Sequence, residues 1–151
     1  MSRIILLDAA PLGLLAQPRP TPASLACRQW STDVQANGKL LLVAEITDYE
    51  VRRELLRARK PRGVERLNQL KAELGFVAIT TATMLQAAVY WAQVRQQGKP
   101  TAANTALDGD VILAAQAALL IGVGHTVVIA TTNVRHLSWM VPADDWQNIT
   151  P

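Results

Sequence analysis

The chain lacks most of the residues and motifs on which common enzyme chemistries depend. Cysteine occurs once, as Cys27, so no disulfide can form within the chain, and this fits a reducing cytoplasm. Only two histidines are present, His125 and His136, and neither has the spacing to a cysteine that zinc sites show. The sequence contains no Gly-x-Gly-x-x-Gly segment, no phosphate-loop lysine and no Gly-x-Ser-x-Gly turn. Zinc, dinucleotide, phosphate-loop and serine-hydrolase chemistry therefore have no support in the sequence.

Long uninterrupted apolar runs are missing as well. Asp8 and Pro11 interrupt the apolar start of the chain too early for a signal peptide. The apolar stretch 111–130 contains polar and glycine residues, so it predicts a helix, a turn and a strand rather than a membrane span. We therefore expect a cytoplasmic protein that does not enter a membrane.

The composition is that of a globular domain. Half of the 151 residues are apolar, which argues against disorder and allows one domain with a substantial core. Short apolar segments predict buried strands at 3–7, 40–43, 76–79 and 127–130, and a last edge strand at 146–150. Helices are predicted at 22–37, 47–59, 63–74, 82–97 and 110–121, with a short one after 133. This alternation predicts a single α/β domain over residues 1–151, with a parallel sheet of four to five strands flanked by helices.

Acidic and amide side chains recur where an apolar strand gives way to a turn or a helix start. They are Asp8, Glu50, Asp108, Asp110 and Asn133. The carboxyl ends of parallel strands form one edge of a sheet, so side chains that are distant in sequence can converge there. Clustered carboxylates repel one another unless a cation lies among them. The pattern therefore predicts a divalent metal site.

Each of these residues also has a structural explanation. Asp8 is a common residue type in a turn after a strand. Thr47-x-x-Glu50 fits a capping box, as does Thr105-x-x-Asp108, and Asp110 favours a helix N-terminus. The structural explanation of the whole set, however, requires four independent coincidences at one edge of one sheet.

The chemistry of Mg²⁺ and Mn²⁺ accounts for the set as a whole. Both ions prefer carboxylate and water ligands in octahedral geometry. A metal-bound water of lowered pKa can attack a phosphodiester, and a second ion can stabilise the leaving oxygen. No covalent nucleophile is required, and none is evident in the sequence.

Positive charge is concentrated in one short stretch, although the formal net charge is only +3. The residues are Arg52, Arg53, Arg57, Arg59, Lys60 and Arg62. They are explained equally well by a solvated helix face with its C-terminal cap and by a patch that binds a phosphate backbone.

Four segments resemble the motifs of the PIN-domain family, most closely the VapC-type toxin ribonucleases of bacteria. Residues 5–8 resemble the opening strand and its aspartate, Asp8, and residues 46–55 resemble the helix that carries the family's glutamate, Glu50. Residues 110–117 resemble the third acidic motif, beginning at Asp110. Residues 130–137 resemble the motif after the fourth strand, with Asn133 at its acidic or amide position. The resemblance extends over nearly the whole chain.

The resemblance implies a Mg²⁺- or Mn²⁺-dependent endoribonuclease, the toxin of a pair with a cognate antitoxin, and a homodimer. We predict that the catalytic residues are Asp8, Glu50, Asp110 and Asn133, and that the metal is held by Asp8, Glu50, Asp110 and Asp108. RNA is predicted to contact Arg52, Arg53, Thr131 and Thr132, and a threonine hydroxyl to orient the metal ligands.

The sequence departs from the family pattern at several places. Ala10 replaces a polar residue, Asn133 replaces an acidic one, and His136 and Leu137 stand where a further acidic residue sometimes follows. These differences lower the negative charge of the site, for which Asp108 is a candidate to compensate. The rival interpretation is thus a PIN-like RNA-binding or protein-interaction module that is catalytically weak or inactive. A metal-dependent phosphohydrolase acting on small substrates is a third possibility.

The predicted helix at 82–97 bears directly on association. It carries a wider spread of apolar residues than one core-facing stripe, namely Met84, Leu85, Val89, Tyr90, Trp91 and Val94. We expect part of this surface to be exposed on a monomer and to form a symmetric homodimer together with the helix at 63–74. The alternative is that Tyr90 and Trp91 fill the core of the monomer.

Overall fold

The computed structural model of the chain describes residues 2–98 and 104–151, and for 104–106 it describes the backbone alone. Within these ranges the strands are β1 (Arg3–Leu7), β2 (Leu40–Ala44), β3 (Phe76–Val77), β4 (Thr126–Ala130) and β5 (Ala143–Asp144). They form one five-stranded sheet in the order β3-β2-β1-β4-β5, and every pairing is parallel. The predicted α/β class with a parallel sheet is confirmed.

Seven α-helices surround this sheet in the described residues. They are α1 (Ala9–Ala16), α2 (Pro22–Ala36), α3 (Glu45–Arg57), α4 (Pro61–Leu74), α5 (Thr81–Gln96), α6 (Asn104–Gly122) and α7 (Val134–Leu137). A 3₁₀ turn follows at Trp146–Asn148. No helix in the described ranges is long and apolar enough to cross a bilayer.

The central strand β1 is buried on both faces, as its continuous apolar sequence predicts. Ile5 and Leu7 pack into a core formed with α1, α2, α3 and α4. Ile4 and Leu6 point the other way, into a core formed with α6 and α7. The sheet is therefore the middle of three layers, and helices on both faces leave only its edges open to ligands.

Helices α3 and α6, which carry candidate site residues, begin earlier than the sequence predicts. Helix α3 begins at Glu45, directly after β2, with Ala44 as an N-cap that makes no side-chain hydrogen bond. The side-chain oxygen of buried Gln116 accepts from the Ile46 N–H at 3.4 Å, so a residue of α6 serves one of the free donors at this helix start. Thr47 and Glu50 therefore lie inside α3, and the capping box proposed for them is wrong.

Helix α6 begins at Asn104 rather than at Asp110. Asp108 and Asp110 consequently lie within the helix, not at its N-terminus. The predicted polar loop at 99–106 falls partly outside the described residues, since 99–103 are not described. The Thr105-x-x-Asp108 capping box is wrong, because the backbone is already helical at 105.

The start and the end of the chain differ from the prediction as well. Helix α1 was not predicted, although Pro11 in its first turn is compatible with a helix. The predicted strand at 146–150 is a 3₁₀ turn, and β5 lies just before it. Trp146 packs against Trp30 with ring centroids 5.7 Å apart, and the Trp30 indole N–H donates to the Ile149 carbonyl at 2.9 Å. Side-chain contacts to α2 thus hold this segment in place of sheet pairing.

Candidate active site

The register of the sheet brings the ends of three strands to one level. Leu7 pairs with Val43 on one side and with Ala130 on the other. The Asp8 N–H then donates to the Ala130 carbonyl at 2.9 Å, so the β1–β4 pairing continues one residue further. The residues that follow β1, β2 and β4 therefore share the carboxyl edge of the sheet, where ligands bind in open α/β folds.

Asp8 is fixed at this edge by two hydrogen bonds. It is the N-cap of α1, and its Oδ1 accepts from the Ala9 N–H at 2.7 Å. Its Oδ2 accepts from the Thr131 hydroxyl at 2.6 Å. Because each carboxylate oxygen has its own donor, the Asp8 side chain is held in one orientation.

Asn133 joins Asp8 to Asp110 through Thr131. The Asn133 backbone N–H donates to the Thr131 hydroxyl oxygen at 2.8 Å, and the Asn133 side-chain amide donates to Oδ2 of Asp110 at 3.0 Å. A continuous line of hydrogen bonds therefore runs from β1 through the segment after β4 to α6. We call the set Asp8, Thr131, Asn133 and Asp110 the hydrogen-bonded line.

Glu50 reaches the same region from α3. Its carboxylate lies against Gly109, the residue before Asp110 in α6. The start of α3 is anchored nearby by Glu45, whose carboxylate accepts from the Ile79 N–H at 2.8 Å, and by Gln116, whose amide donates to the Val77 carbonyl at 2.7 Å. Glu45 therefore serves the fold.

The three carboxylates influence one another electrostatically. Burial raises the pKa of Asp110 to about 6, with further contributions from the negative charges of Asp8 and Glu50, and the hydrogen bond from Asn133 opposes the shift. Burial and the charge of Asp8 also raise the pKa of Glu50, while the guanidinium of Arg53 lowers it. The charge of Asp8 therefore disfavours the ionised forms of Glu50 and Asp110, and the charge of Glu50 disfavours that of Asp110.

The carboxylates of Asp8, Glu50 and Asp110 suit a hard divalent cation, but the geometry limits how many of them can bind one ion directly. Carboxylate oxygens are the ligands that Mg²⁺ and Mn²⁺ prefer, and mutual repulsion is what such a cation would relieve. Among the described residues, however, no three His, Cys, Asp or Glu side chains are grouped so closely that they could hold a metal ion together. The residues therefore fit an ion bound by one or two carboxylates that keeps several water ligands.

Asp108 does not lie with these residues. It is exposed and lines a cavity of about 420 Å³ between α5 and α6, together with Met84, Trp91 and Ile112. Residues two apart in a helix point about 200° away from each other, so Asp108 and Asp110 face different directions. The position of Asp108 does not support the predicted role as a metal ligand.

The residues predicted to contact RNA have different surroundings. Arg52 donates to both carboxylate oxygens of Asp48, at 2.9 and 3.2 Å, and to the Asn68 side chain at 2.8 Å, which is a structural role. Arg53 is exposed, and its guanidinium lies 5.0 Å from the centre of the Tyr49 ring.

The two threonines differ as well. Thr131 is 0% exposed, which favours the predicted orienting role and leaves no surface for RNA. Thr132 is exposed, so contact with RNA remains a prediction for that residue.

The basic stretch also contains both paired and exposed cations. Arg57 pairs with Glu54, with its Nε 3.0 Å from Oε2. Lys60 and Arg62 join Arg19 around a cavity of about 650 Å³ at the far end of α1 and α3. Lys60 and Arg62 of the basic stretch, together with Arg19, are thus exposed cations that an anionic partner could reach. Arg53 is an exposed cation nearer the carboxylates.

Comparison with known proteins shows the fold. The VapBC2 structure from Rickettsia felis, bound to a DNA fragment from its promoter, matches with a TM-score of 0.72 and 12% identity over 95% of this chain and 98% of that one. VapBC-1 from nontypeable Haemophilus influenzae matches with a TM-score of 0.69 and 18% identity, over 96% and 99%. FitAcB from Neisseria gonorrhoeae matches with a TM-score of 0.67 and 16% identity, over 96% and 99%. The chain has the PIN fold of VapC.

The PIN fold confirms the family resemblance at the level of architecture. No protein-family model and no curated protein matches the sequence. The fold nevertheless puts the hydrogen-bonded line and Glu50 at the carboxyl edge of the sheet. These residues are the basis on which a metal and a reaction can be proposed.

Sequence reasoning missed two residues that shape this PIN-fold site. Gln116 lies within the third acidic motif without a role of its own there, but it bridges the start of α3 and the end of β3 while 1% exposed. Gly109 was given no role, and it lies against the Glu50 carboxylate. Gly109 precedes the helix predicted at 110–121, and only the observed start at Asn104 places it in a helix interior, where a glycine usually has a packing or functional reason. Nothing local in the sequence points to the partners of Gln116.

Proposed function

We propose that the chain is a divalent-metal-dependent endoribonuclease that acts as the VapC-like toxin of a toxin–antitoxin pair. The observation that carries the proposal is the hydrogen-bonded line at the carboxyl edge of the sheet. Glu50 lies beside this line, and the charges of Asp8 and Glu50 raise the pKa of Asp110. The shared fold with VapBC structures supports the toxin role.

The carboxylates would hold a Mg²⁺ or Mn²⁺ ion directly or through water. Such an ion would supply a water of lowered pKa and would stabilise negative charge on the leaving oxygen. One or two of Asp8, Glu50 and Asp110 would hold it directly and the remainder through bound water, and Thr131 and Asn133 orient two of these carboxylates. Arg53, which acts on Glu50 from the solvent side, is the cation placed to hold an RNA phosphate.

We also propose partners and a cellular location for the chain. The similar structures include VapBC and FitAcB, and by analogy we propose a cognate antitoxin for this chain. Burial raises the pKa of the Cys27 thiol to about 12, so this residue is inert, as suits a protein acting in a reducing cytoplasm. A homodimer is proposed from the exposed apolar side chains of α5, which are Met84, Leu85, Val89 and Trp91.

Cleavage of RNA by the purified chain tests the proposal. End-labelled RNA would be incubated with the wild-type protein in Mg²⁺, in Mn²⁺ and in EDTA. Internal cuts that require either ion support the proposal, and an absence of cutting in both ions contradicts it. The cut site and the RNA target would be mapped in the same gels.

A second candidate function is a PIN-like module that binds RNA or protein without cutting. Asn133 in place of a carboxylate favours it, because the amide lowers the negative charge next to Asp110. Calorimetric titration with Mn²⁺ separates the two candidates before any cleavage assay. Tight binding that Asp110→Asn abolishes favours the nuclease, and an absence of binding favours the module.

A further inference from the structure

Gly109 contacts the carboxylate of Glu50 at its closest approach to α3. A β-carbon built on Gly109 would lie 3.1 Å from Oε1 of Glu50, 3.3 Å from its Cδ and 3.4 Å from its Oε2. All three atoms belong to the carboxylate group; the distances of 3.1 and 3.3 Å are shorter than an ordinary van der Waals contact, and 3.4 Å lies at its lower limit. Any side chain larger than hydrogen at this position would therefore compete with the Glu50 carboxylate for space.

The backbone itself does not require glycine at 109. The glycines with a positive φ in the described residues are Gly38, Gly75, Gly98 and Gly124, and Gly109 is not among them. It lies in the interior of α6, where glycine is destabilising relative to alanine. What glycine provides at this position is space, and the Glu50 carboxylate is what lies against that space.

We propose that Gly109 is a positioning residue for the proposed nuclease site. It leaves open the space in which the Glu50 carboxylate sits beside Asp110. An added methyl group would push that carboxylate by a few tenths of an ångström while leaving the fold intact, because the displaced atoms are the far end of a flexible side chain. The consequence for metal binding and cleavage rests on the proposed function, whereas the contact itself does not.

Gly109→Ala tests this role against a matched control in the same helix. We expect a melting temperature equal to or above that of the wild type, with Mn²⁺ affinity and RNA cleavage each lower by about tenfold, since small misplacements of catalytic groups are costly. Gly122→Ala is the control, because a β-carbon there has nothing within 4 Å. Wild-type affinity and cleavage in Gly109→Ala would overturn the proposal.

Shortening Glu50 provides a rescue experiment. Glu50→Asp withdraws the carboxylate by one methylene and should relieve the contact with an alanine at 109. The double variant is therefore expected to lose less activity than the two single losses multiplied together. Losses that simply multiply would show that the two positions act independently, and this would overturn the proposal.

Two further readouts remain informative if the chain neither binds Mn²⁺ nor cleaves RNA, an outcome that would remove the proposed function. The first is the ¹³C resonance of the Glu50 side-chain carboxyl in metal-free protein, assigned by its loss in Glu50→Gln. It should move in Gly109→Ala and stay in place in Gly122→Ala.

The second readout is stability, in case Gly109→Ala destabilises the fold. If Gly109→Ala lowers stability only in proteins that retain Glu50, the contact is supported. If Gly109→Ala lowers stability equally in the Glu50→Ala background, the contact is overturned.

Discussion

The Thr131 hydroxyl donates a hydrogen bond of 2.6 Å to Oδ2 of Asp8, across the ends of the adjacent parallel strands β4 and β1. The same hydroxyl oxygen accepts from the Asn133 N–H at 2.8 Å. Thr131 is 0% exposed, whereas Asp8 and Asn133 are each partly buried. One buried hydroxyl thus fixes Asp8 and also the segment that carries Asn133 to Asp110.

Thr131→Val should impair the site while keeping the shape of the side chain. Valine neither donates to Asp8 nor accepts from Asn133, so we expect RNA cleavage to fall about 10–100-fold. The unpaired Asn133 N–H should also lower the free energy of unfolding by about 1–3 kcal/mol. Thr131→Ser retains the hydroxyl and is expected to cleave within severalfold of the wild type. A valine variant as active as the serine variant would show that this hydroxyl does not orient the site.

Glu50→Gln tests whether the charge of Glu50 is functional. Because α3 begins at Glu45, Glu50 does not cap the helix, and its loss of charge relieves repulsion with Asp8. We therefore expect an unchanged or slightly higher melting temperature and a loss of cleavage of about 100-fold.

Glu54→Gln is the control for that experiment. Glu54 lies one turn further along α3, exposed and paired with Arg57. Its substitution should leave cleavage unchanged. Equal cleavage by the Glu50 and Glu54 variants would exclude Glu50 from the site.

Asp110 should make the stability of the metal-free protein depend on pH. Its pKa is about 6 in the folded chain, against about 3.9 in an unfolded one. The folded state therefore holds the proton more tightly, and its stability falls as pH rises from about 4 to about 6, then levels off. Burial of the ionised Asp110 destabilises the fold above that range, and protonation removes the effect below it.

The measurement is thermal melting of the wild type and Asp110→Asn in EDTA across that range. The variant is expected to be the more stable protein above pH 6, with the difference shrinking towards pH 4. Added Mn²⁺ should raise the melting temperature of the wild type at pH 7 and not that of the variant. A difference that does not change with pH would contradict the proposed burial of an ionised Asp110.

Association should depend on α5. Leu85 is 66% exposed and shares α5 with exposed Met84 and Trp91, whereas Leu67 and Leu70 of α4 are buried in the core. We expect light scattering to give twice 16.4 kDa at micromolar concentration, and Leu85→Glu to weaken the dimer by at least about 30-fold. Leu56→Glu, at an exposed leucine of α3, is the control and should leave the dimer intact. A wild-type protein that stays monomeric on concentration would remove the proposed dimer.

The sheet could be predicted because its central strands carry their own signal. The segments of β1, β2 and β4 are short apolar runs, as expected for strands buried on both faces, and their bounds agree with the prediction to within a residue. Asp8 could be placed because it follows such a strand directly. Alternation of strands with helices then implied the parallel order that brings the strand ends together.

The starts of α3 and α6 could not be predicted from local sequence signals. The Gln116 side chain, from α6, accepts a hydrogen bond at the start of α3. Thr47 and Glu50 match the sequence pattern of a capping box but do not form one. The sequence predicts a later start for α6, and with that start Asp108 and Asp110 are expected to lie side by side. In the continuous helix Asp108 instead faces α5. The contact between Gly109 and Glu50 exists only in three dimensions.

The most direct test of the central claim compares RNA cleavage by the wild type, Asp8→Asn, Asp110→Asn and Asp33→Asn in Mn²⁺. Asp33 lies on α2 and pairs with Gln29, away from the carboxyl edge, so its variant controls for the loss of one aspartate. We predict that Asp8→Asn and Asp110→Asn each lose at least about 100-fold in rate while remaining folded, and that Asp33→Asn matches the wild type. Cleavage by Asp8→Asn and Asp110→Asn at the rate of the Asp33→Asn control would contradict the assignment of the site.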